Sequence, residues 1–593
     1  MRDPLRRKEE RLNHFDMSIN ETVNTPQEKL VFEDFTYERP DMETFSNRFE
    51  ALLQEFEEAG SAAAQKRIFS QLNDMRTELL TMYNLCHIRH TMDTQDEFYE
   101  AENDFFDQQM PSFQALVTRL YQVVLDSPFR EELEKSWGAQ FFRVAELSLK
   151  TFIPEILEDL REENRLSSEY IKLKATARIE FQGEEYNLSS IQKLEVNPDR
   201  QTRREAAEAK WDFYATHIEK TDHVYEQLVH TRHRIARKLG YDNFVQLGYD
   251  RLGRSDYGPE QVARFRREVK EHIVPAANAL YERQRRRLGL EQLKYYDEEY
   301  RFPSGNPEPK GDPKWIITHA GTMYEELSSE TKAFFNYMRN KHLMDLETRP
   351  GKATGGYCTY IGKYKSPFIF SNFNGTSGDI DVLTHEAGHA FQVYASRDFQ
   401  INEYIWPTLE ACEIHSMSME FFTWPWMRLF FEEDTEKYRF AHLANALLFM
   451  PYGVAIDEFQ HFVYENPDCS PAERRAAWRR IEGDYLPHRD YDGNAFLEDG
   501  GYWHKQTHVF SSPFYYIDYV LAQTCALQFW KRNTEDHQSA WSDYLTLCRA
   551  GGSRPFLDLV ELSGLQSPFD PGVLQEVVGE AGSWLDRIDD AEF

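Results

Sequence analysis

The sequence predicts a mainly α-helical protein, built either as one large architecture or as two lobes sharing an extensive core. Three observations carry that expectation. The chain is 593 residues long, several times the ordinary single-domain length. Its 41% hydrophobic and 14% aromatic content fills a core and excludes disorder throughout. Apolar residues recur at helical spacing along most segments; within residues 316–346, Met323, Leu327, Phe334 and Met338 share one stripe with Glu and Lys between them. No period of about 20–50 residues repeats, which argues against a solenoid.

Strand signals are few. Residues 177–188 alternate Ile179 and Phe181 before Gly183, then Tyr186 and Leu188, and read as a small hairpin. A turn at Asn197-Pro198-Asp199 precedes a strong helical pattern, so the chain divides near residue 200 into an N-terminal helical lobe (1–200) and a second lobe (201–593). The proline-rich stretch 303–313 is a surface loop. After Pro350-Gly351 and Gly355-Gly356 comes an aromatic run in which residues 366–374 form a strand.

Composition excludes some functions. Lys and Arg total 68 against 100 Asp and Glu, a net charge of −32, so the average field repels phosphate and disfavours nucleic acid and anionic membranes as partners. The acidic excess reads as a solvated surface, part of which favours cationic ligands. A mean hydropathy of −0.68, without an uncharged apolar run of about 18 residues, predicts no membrane span. The N-terminus is basic but develops no apolar secretory stretch, and reads as a solvated arm. Six scattered cysteines without a CxxC pair suit a reducing cytoplasm.

The chemistry gathers in residues 381–392, DVLTHEAGHAFQ. His385 and His389 lie four apart, one turn on one helical face, and can point two imidazoles at a single metal ion. Glu386 can reach a water on that ion. Leu383, Ala387, Ala390 and Phe391 anchor the opposite side, and Gly388 allows a neighbouring backbone to approach. Chance would supply about 0.06 such HExxH matches in this chain. Hydrolytic zinc keeps three protein ligands and one open position. A carboxylate follows His385 by 28 residues, in the helical segment PTLEACEIHSMSMEFF: Glu413 is the candidate ligand, with Glu410 and Glu420 as partners that orient the histidines. Apolar neighbours on that helix favour burial over a solvated face.

Together, DVLTHEAGHAFQ and EACEIHSMSMEFF resemble the M3 family of zinc metallopeptidases, in its oligoendopeptidase F branch, and the likeness runs from about residue 200 to 565. It implies a two-lobed, mainly helical zincin with a small β-sheet in the catalytic lobe. A deep, narrow channel would admit short unstructured peptides and exclude folded proteins. It assigns one zinc ion per chain to His385, His389 and Glu413, and the catalytic base to Glu386. In the segment 502–519 it assigns catalytic roles best to His508 and Tyr519, with Tyr515 and Tyr516 as further candidates; the alternative for these tyrosines is a place in the core or the channel wall. The segment 366–379 stands where zincins place an edge strand, to which an extended peptide can add; the alternative is an ordinary hairpin.

The leading expectation is a cytoplasmic zinc endopeptidase acting on internal bonds of short oligopeptides. The alternatives are a non-catalytic peptide-binding protein that keeps the fold, and a helical zinc hydrolase of other amides or esters. Histidines in CHIRH (86–90) and HTRHR (230–234) read as charged surface rather than as a second metal site. Oligomeric state is not legible.

Overall fold

The structure, a computed structural model, describes residues 30–593; the expected solvated arm lies outside the described residues. The protein is mainly helical, with only two small sheets among the described residues. The hairpin is present: Ile179–Phe181 pairs antiparallel with Glu184–Tyr186 through a turn in which Gln182 and Gly183 both have positive φ, the backbone that matches the twist of a two-residue hairpin. At the expected boundary, Asp199 caps helix Arg200–Thr216 by accepting from the Thr202 amide.

Two expectations change. The stripe over 316–346 is not one helix: Pro313–Leu327 ends at Ser328, whose side chain caps Ser329–Asn340, and Met344–Glu347 continues as a strand. The strand Ser366–Phe373 exists but is not an edge. It is the centre of a three-stranded sheet, parallel to Met344–Glu347 on one side and antiparallel to Tyr357–Ile361 on the other. Burial on both faces explains its nearly unbroken apolar run. The edge beside the HExxH segment is therefore Tyr357–Ile361, whose far end is engaged where the Asn84 side-chain amide donates to the Tyr360 carbonyl.

In HTRHR, His230 and His233 are half-buried and Arg234 is exposed, but Arg232 turns inward. Arg232 is fully buried, pairing with Glu163 at 2.7 Å and donating to Tyr464 and to the Phe510 carbonyl. A charge held this way is compatible with the interior because every partner of the guanidinium is polar.

The chain passes from the central strand directly into helix Gly378–Ser396, which carries HExxH and packs on helix Leu409–Phe422. Both are buried nearly all round, as are Thr435–Glu465 and Tyr516–Glu535 beside them. Gly388 sets the approach of the first two helices. A Cβ there would stand 2.6 Å from Ser416 Cα and 2.7 Å from the His415 carbonyl oxygen, main-chain atoms that cannot rotate away. We expect Gly388→Ala to destabilise the fold by about 1–3 kcal/mol, the usual cost of overpacking. Gly483→Ala, at a helical position where a Cβ meets nothing within 4 Å, is the control and leaves stability equal or slightly higher. Equal melting midpoints for the two variants would contradict this account of the helix contact.

Candidate metal centre and active site

The close helix contact brings three donor atoms together. His385 Nε2 lies 3.1 Å and His389 Nε2 3.4 Å from Glu413 Oε2. Among the described residues this is the one trio of His, Cys, Asp or Glu side chains able to hold a metal ion. Tetrahedral zinc with bonds of about 2.0–2.1 Å separates its ligands by about 3.3 Å, which matches these spacings. His2Glu is also a donor set that zinc hydrolases use with one corner open.

Proton placement fits a metal as well. His385 Nδ1 donates to Glu420 Oε1 at 2.7 Å, which leaves the Nε2 lone pair facing Glu413. Glu420 is itself held from the far side. Trp424 Nε1 donates to His442 Nδ1 at 3.2 Å, so His442 carries its proton on Nε2 and donates to Glu420 Oε2 at 2.8 Å. Glu413 receives two hydroxyls, Ser416 on Oε2 at 2.8 Å and Tyr515 on Oε1. Burial opposes its ionisation, yet positive charge on the His389 and His385 side of the cluster holds its carboxyl well below the usual range, the direction in which a bound cation also acts.

Glu386 is also buried, and its Oε2 has no hydrogen-bond partner. Burial pushes its pKa up, against the opposing field of the two histidines. A proton acceptor kept free and desolvated beside a metal-capable cluster is suited to taking a proton from water. Gly356, at the entrance to strand Tyr357–Ile361, leaves the space it needs, since a Cβ there would lie 3.3 Å from Glu386 Oε1.

His508 and Tyr519 come together as expected, with His508 Nε2 3.2 Å from the Tyr519 hydroxyl. Their protons can be assigned from the neighbours. Tyr452 donates to Gln506 Oε1 at 3.0 Å, so the Gln506 amino group faces His508 Nδ1 at 2.8 Å and donates to it. His508 then carries its proton on Nε2 and donates to the Tyr519 oxygen, so the Tyr519 O–H is not spent on His508; the Tyr519 hydroxyl also stands within hydrogen-bond reach of Tyr515. Burial pushes His508 down to about 4 and Tyr519 well above 10, so both are neutral donors near pH 7. Tyr516 packs on His508 at 5.2 Å between ring centres and lines the adjoining cavity, which makes it a wall residue. That cavity, about 450 Å³, runs past His508, Tyr519, Glu420 and His442.

Some side chains depart from expectation. Glu410 does not touch the histidines: its two oxygens are buried without a hydrogen-bond partner, and burial lifts it to about 7 against the field of Arg254. His442 went unforeseen because no motif marks it; only its place on a buried helix, facing Glu420, reveals it. Tyr515, a further candidate in the sequence, is the tyrosine that bonds the Glu413 carboxylate directly.

Comparison with known proteins agrees with this arrangement. Residues 32–152 match the Peptidase M3 N-terminal domain, and residues 194–304 and 323–578 match Peptidase family M3. The structure superposes on that of PZ peptidase A with an inhibitor at a TM-score of 0.94 and 58% identity, covering 94% of this chain and 100% of that one. A Bacillus anthracis structure designated a candidate oligoendopeptidase F gives 0.90 and 53%, covering 95% and 99%. Oligoendopeptidase F of Lactococcus lactis subsp. cremoris is 24% identical over 395 residues, 63% of this chain but 61% of its own length; the match thus spans less than two thirds of that relative. With family matches over most of the sequence and this fold, the chain belongs to peptidase family M3, in its oligoendopeptidase F branch.

Proposed function

We propose that the protein is a zinc-dependent endopeptidase that hydrolyses internal bonds of short, unstructured peptides. One observation carries the reading: three ligand atoms from two helices, those of His389 and Glu413 buried and that of His385 half-buried, meet at tetrahedral spacing beside a carboxylate left free of partners. His385, His389 and Glu413 would hold one zinc ion, which supplies Lewis acidity toward a peptide carbonyl and lowers the pKa of water toward about 7.

The chain's own groups do the rest. Glu386 takes the proton of the attacking water and returns it to the departing amine. Tyr519 donates its O–H to the oxyanion that develops on the carbonyl, with His508 fixing the orientation of that hydroxyl. The open part of edge strand Tyr357–Ile361, beside Glu386, takes the peptide as an added strand through main-chain hydrogen bonds, so side-chain identity matters little there.

The division into an N-terminal helical lobe (1–200) and a catalytic lobe (201–593) belongs to the same proposal. A separate apolar cluster around Phe49, Leu72, Leu120 and Phe141 supports a distinct N-terminal unit, although the main core joins Leu166 and Tyr170 to Tyr225 and Leu228 across residue 200. We place the enzyme in the cytoplasm, on its free thiols and the absence among the described residues of a helix long and apolar enough to cross a membrane.

Glu386→Gln is expected to bind one zinc per chain and to lose activity by about 10²–10⁴-fold, the range of general-base catalysis; full activity at equal metal content would remove the proposed base. Tyr519→Phe lowers kcat by about 10²-fold or more with a small change in KM, the mark of a donor used in the transition state. An unchanged kcat would return Tyr519 to the cavity wall. Chelation abolishes cleavage and lowers the melting midpoint, and zinc restores both, because a ligand bound only by the folded state stabilises it by mass action. A melting midpoint indifferent to zinc would speak against a built site.

A further inference from the structure

The cavity beside the proposed site holds one ammonium group that, among the described residues, no carboxylate pairs directly. Four carboxylates line it, and each is engaged. Glu298 pairs with Arg489 at 2.6 Å, and Glu299 with Arg301 at 3.5 Å. Asp381 accepts from Tyr438, and Glu420 bridges His385 and His442. Of the three cations on the wall, Arg301 and Arg489 are thereby occupied. Lys505 is not.

The Lys505 ammonium donates to the Tyr502 hydroxyl at 2.7 Å and sits over the Tyr502 and Tyr452 rings, 4.2 and 5.4 Å from their centres. Among the described residues no carboxylate comes within salt-bridge reach of it. Lys174 stands behind it, donating to the Lys505 carbonyl at 2.9 Å and likewise without a carboxylate partner. In a chain of net charge −32, two neighbouring lysines without a direct acid partner among the described residues are a marked exception; burial and Lys505 bring Lys174 down to about 7, so Lys505 is the one that carries the charge. Burial, together with Arg489, holds Lys505 down to about 8, which leaves it mostly charged near neutral pH. Covering a charge without pairing it is costly, and an incoming anion removes that cost.

We propose that Lys505 is a carboxylate-binding subsite, which anchors a carboxylate of the bound peptide in the cavity that reaches His508 and Tyr519. The ligand chemistry is a peptide carboxylate, supplied either by a free C-terminus or by an acidic side chain. The subsite refines the expectation drawn from net charge: the outer surface favours cationic peptides, while this interior point selects an anion. Tyr452 supports both sides of the arrangement, lying beside the Lys505 ammonium and donating to the Gln506 that orients His508. Occupation of the subsite and orientation of the donor pair therefore share a wall.

The inference rests on the peptidase reading, and the experiment separates the two. Two peptide sets are titrated calorimetrically into Glu386→Gln protein, which does not turn them over. One set differs only in a free or amidated C-terminus, the other only in an internal Glu or Gln. The acid member of at least one set is expected to bind about tenfold more tightly, the usual weight of a charge-assisted contact, and the set that discriminates names the source. Adding Lys505→Met removes the preference while amide and Gln peptides bind within about twofold of before; Lys505→Arg retains it. Absence of discrimination in both sets overturns the subsite, as does a preference that survives Lys505→Met. Equal weakening of acid and neutral peptides does so too, because it marks a merely structural lysine. If zinc-loaded wild-type protein cleaves none of these peptides, the peptidase reading fails, and the calorimetric result still decides the subsite.

Discussion

The site depends on how closely two buried helices approach at Gly388. Main-chain atoms of Ser416 and His415 occupy the place where any other residue would put its Cβ. That contact sets the separation of Gly378–Ser396 from Leu409–Phe422, and through it the meeting of two imidazoles with one carboxylate. Two of the three ligands are then fixed from behind: His385 by Glu420, Glu413 by Ser416 and Tyr515. Buried polar groups held this way cost little flexibility to use, because the fold has already ordered them.

A second consequence concerns proton control. Two hydrogen-bond chains converge on the centre, Trp424–His442–Glu420–His385 from one side and Tyr452–Gln506–His508–Tyr519 from the other. The first leaves a nitrogen lone pair facing Glu413. The second keeps the Tyr519 proton off His508. Both outcomes follow from the fixed donor ends, Trp424 and Tyr452, and place a lone pair and a donor where hydrolysis of an amide needs them.

Much of this was legible in the sequence because it is local. HExxH spacing follows from helical geometry alone, and Glu413 stood out because its neighbours on the helix are mostly apolar. The hairpin at 179–186 and the turn at 197–199 were equally local signals. What escaped depends on pairing between distant segments. Ser366–Phe373 is recognisable as a strand, but its central place in the sheet is set by neighbours before it and by the order in which they pair. Glu420 lies seven residues beyond Glu413 and returns to the same helical face, whereas Glu410, three before, sits about 60° round the helix; the presence of Arg254 there was not visible in the chain. His442 lies on a helix without any motif. Lys505 could be read only by counting which charges of the cavity are already paired.

The central claim is that one metal ion sits among His385, His389 and Glu413. The most direct measurement is an anomalous difference map from crystals of the zinc-loaded protein, recorded on both sides of the zinc absorption edge. The account predicts one strong peak per chain, about 2.0–2.2 Å from His385 Nε2, His389 Nε2 and Glu413 oxygen. A peak elsewhere, or zinc-loaded protein in which these three side chains turn away from a common point, would contradict it.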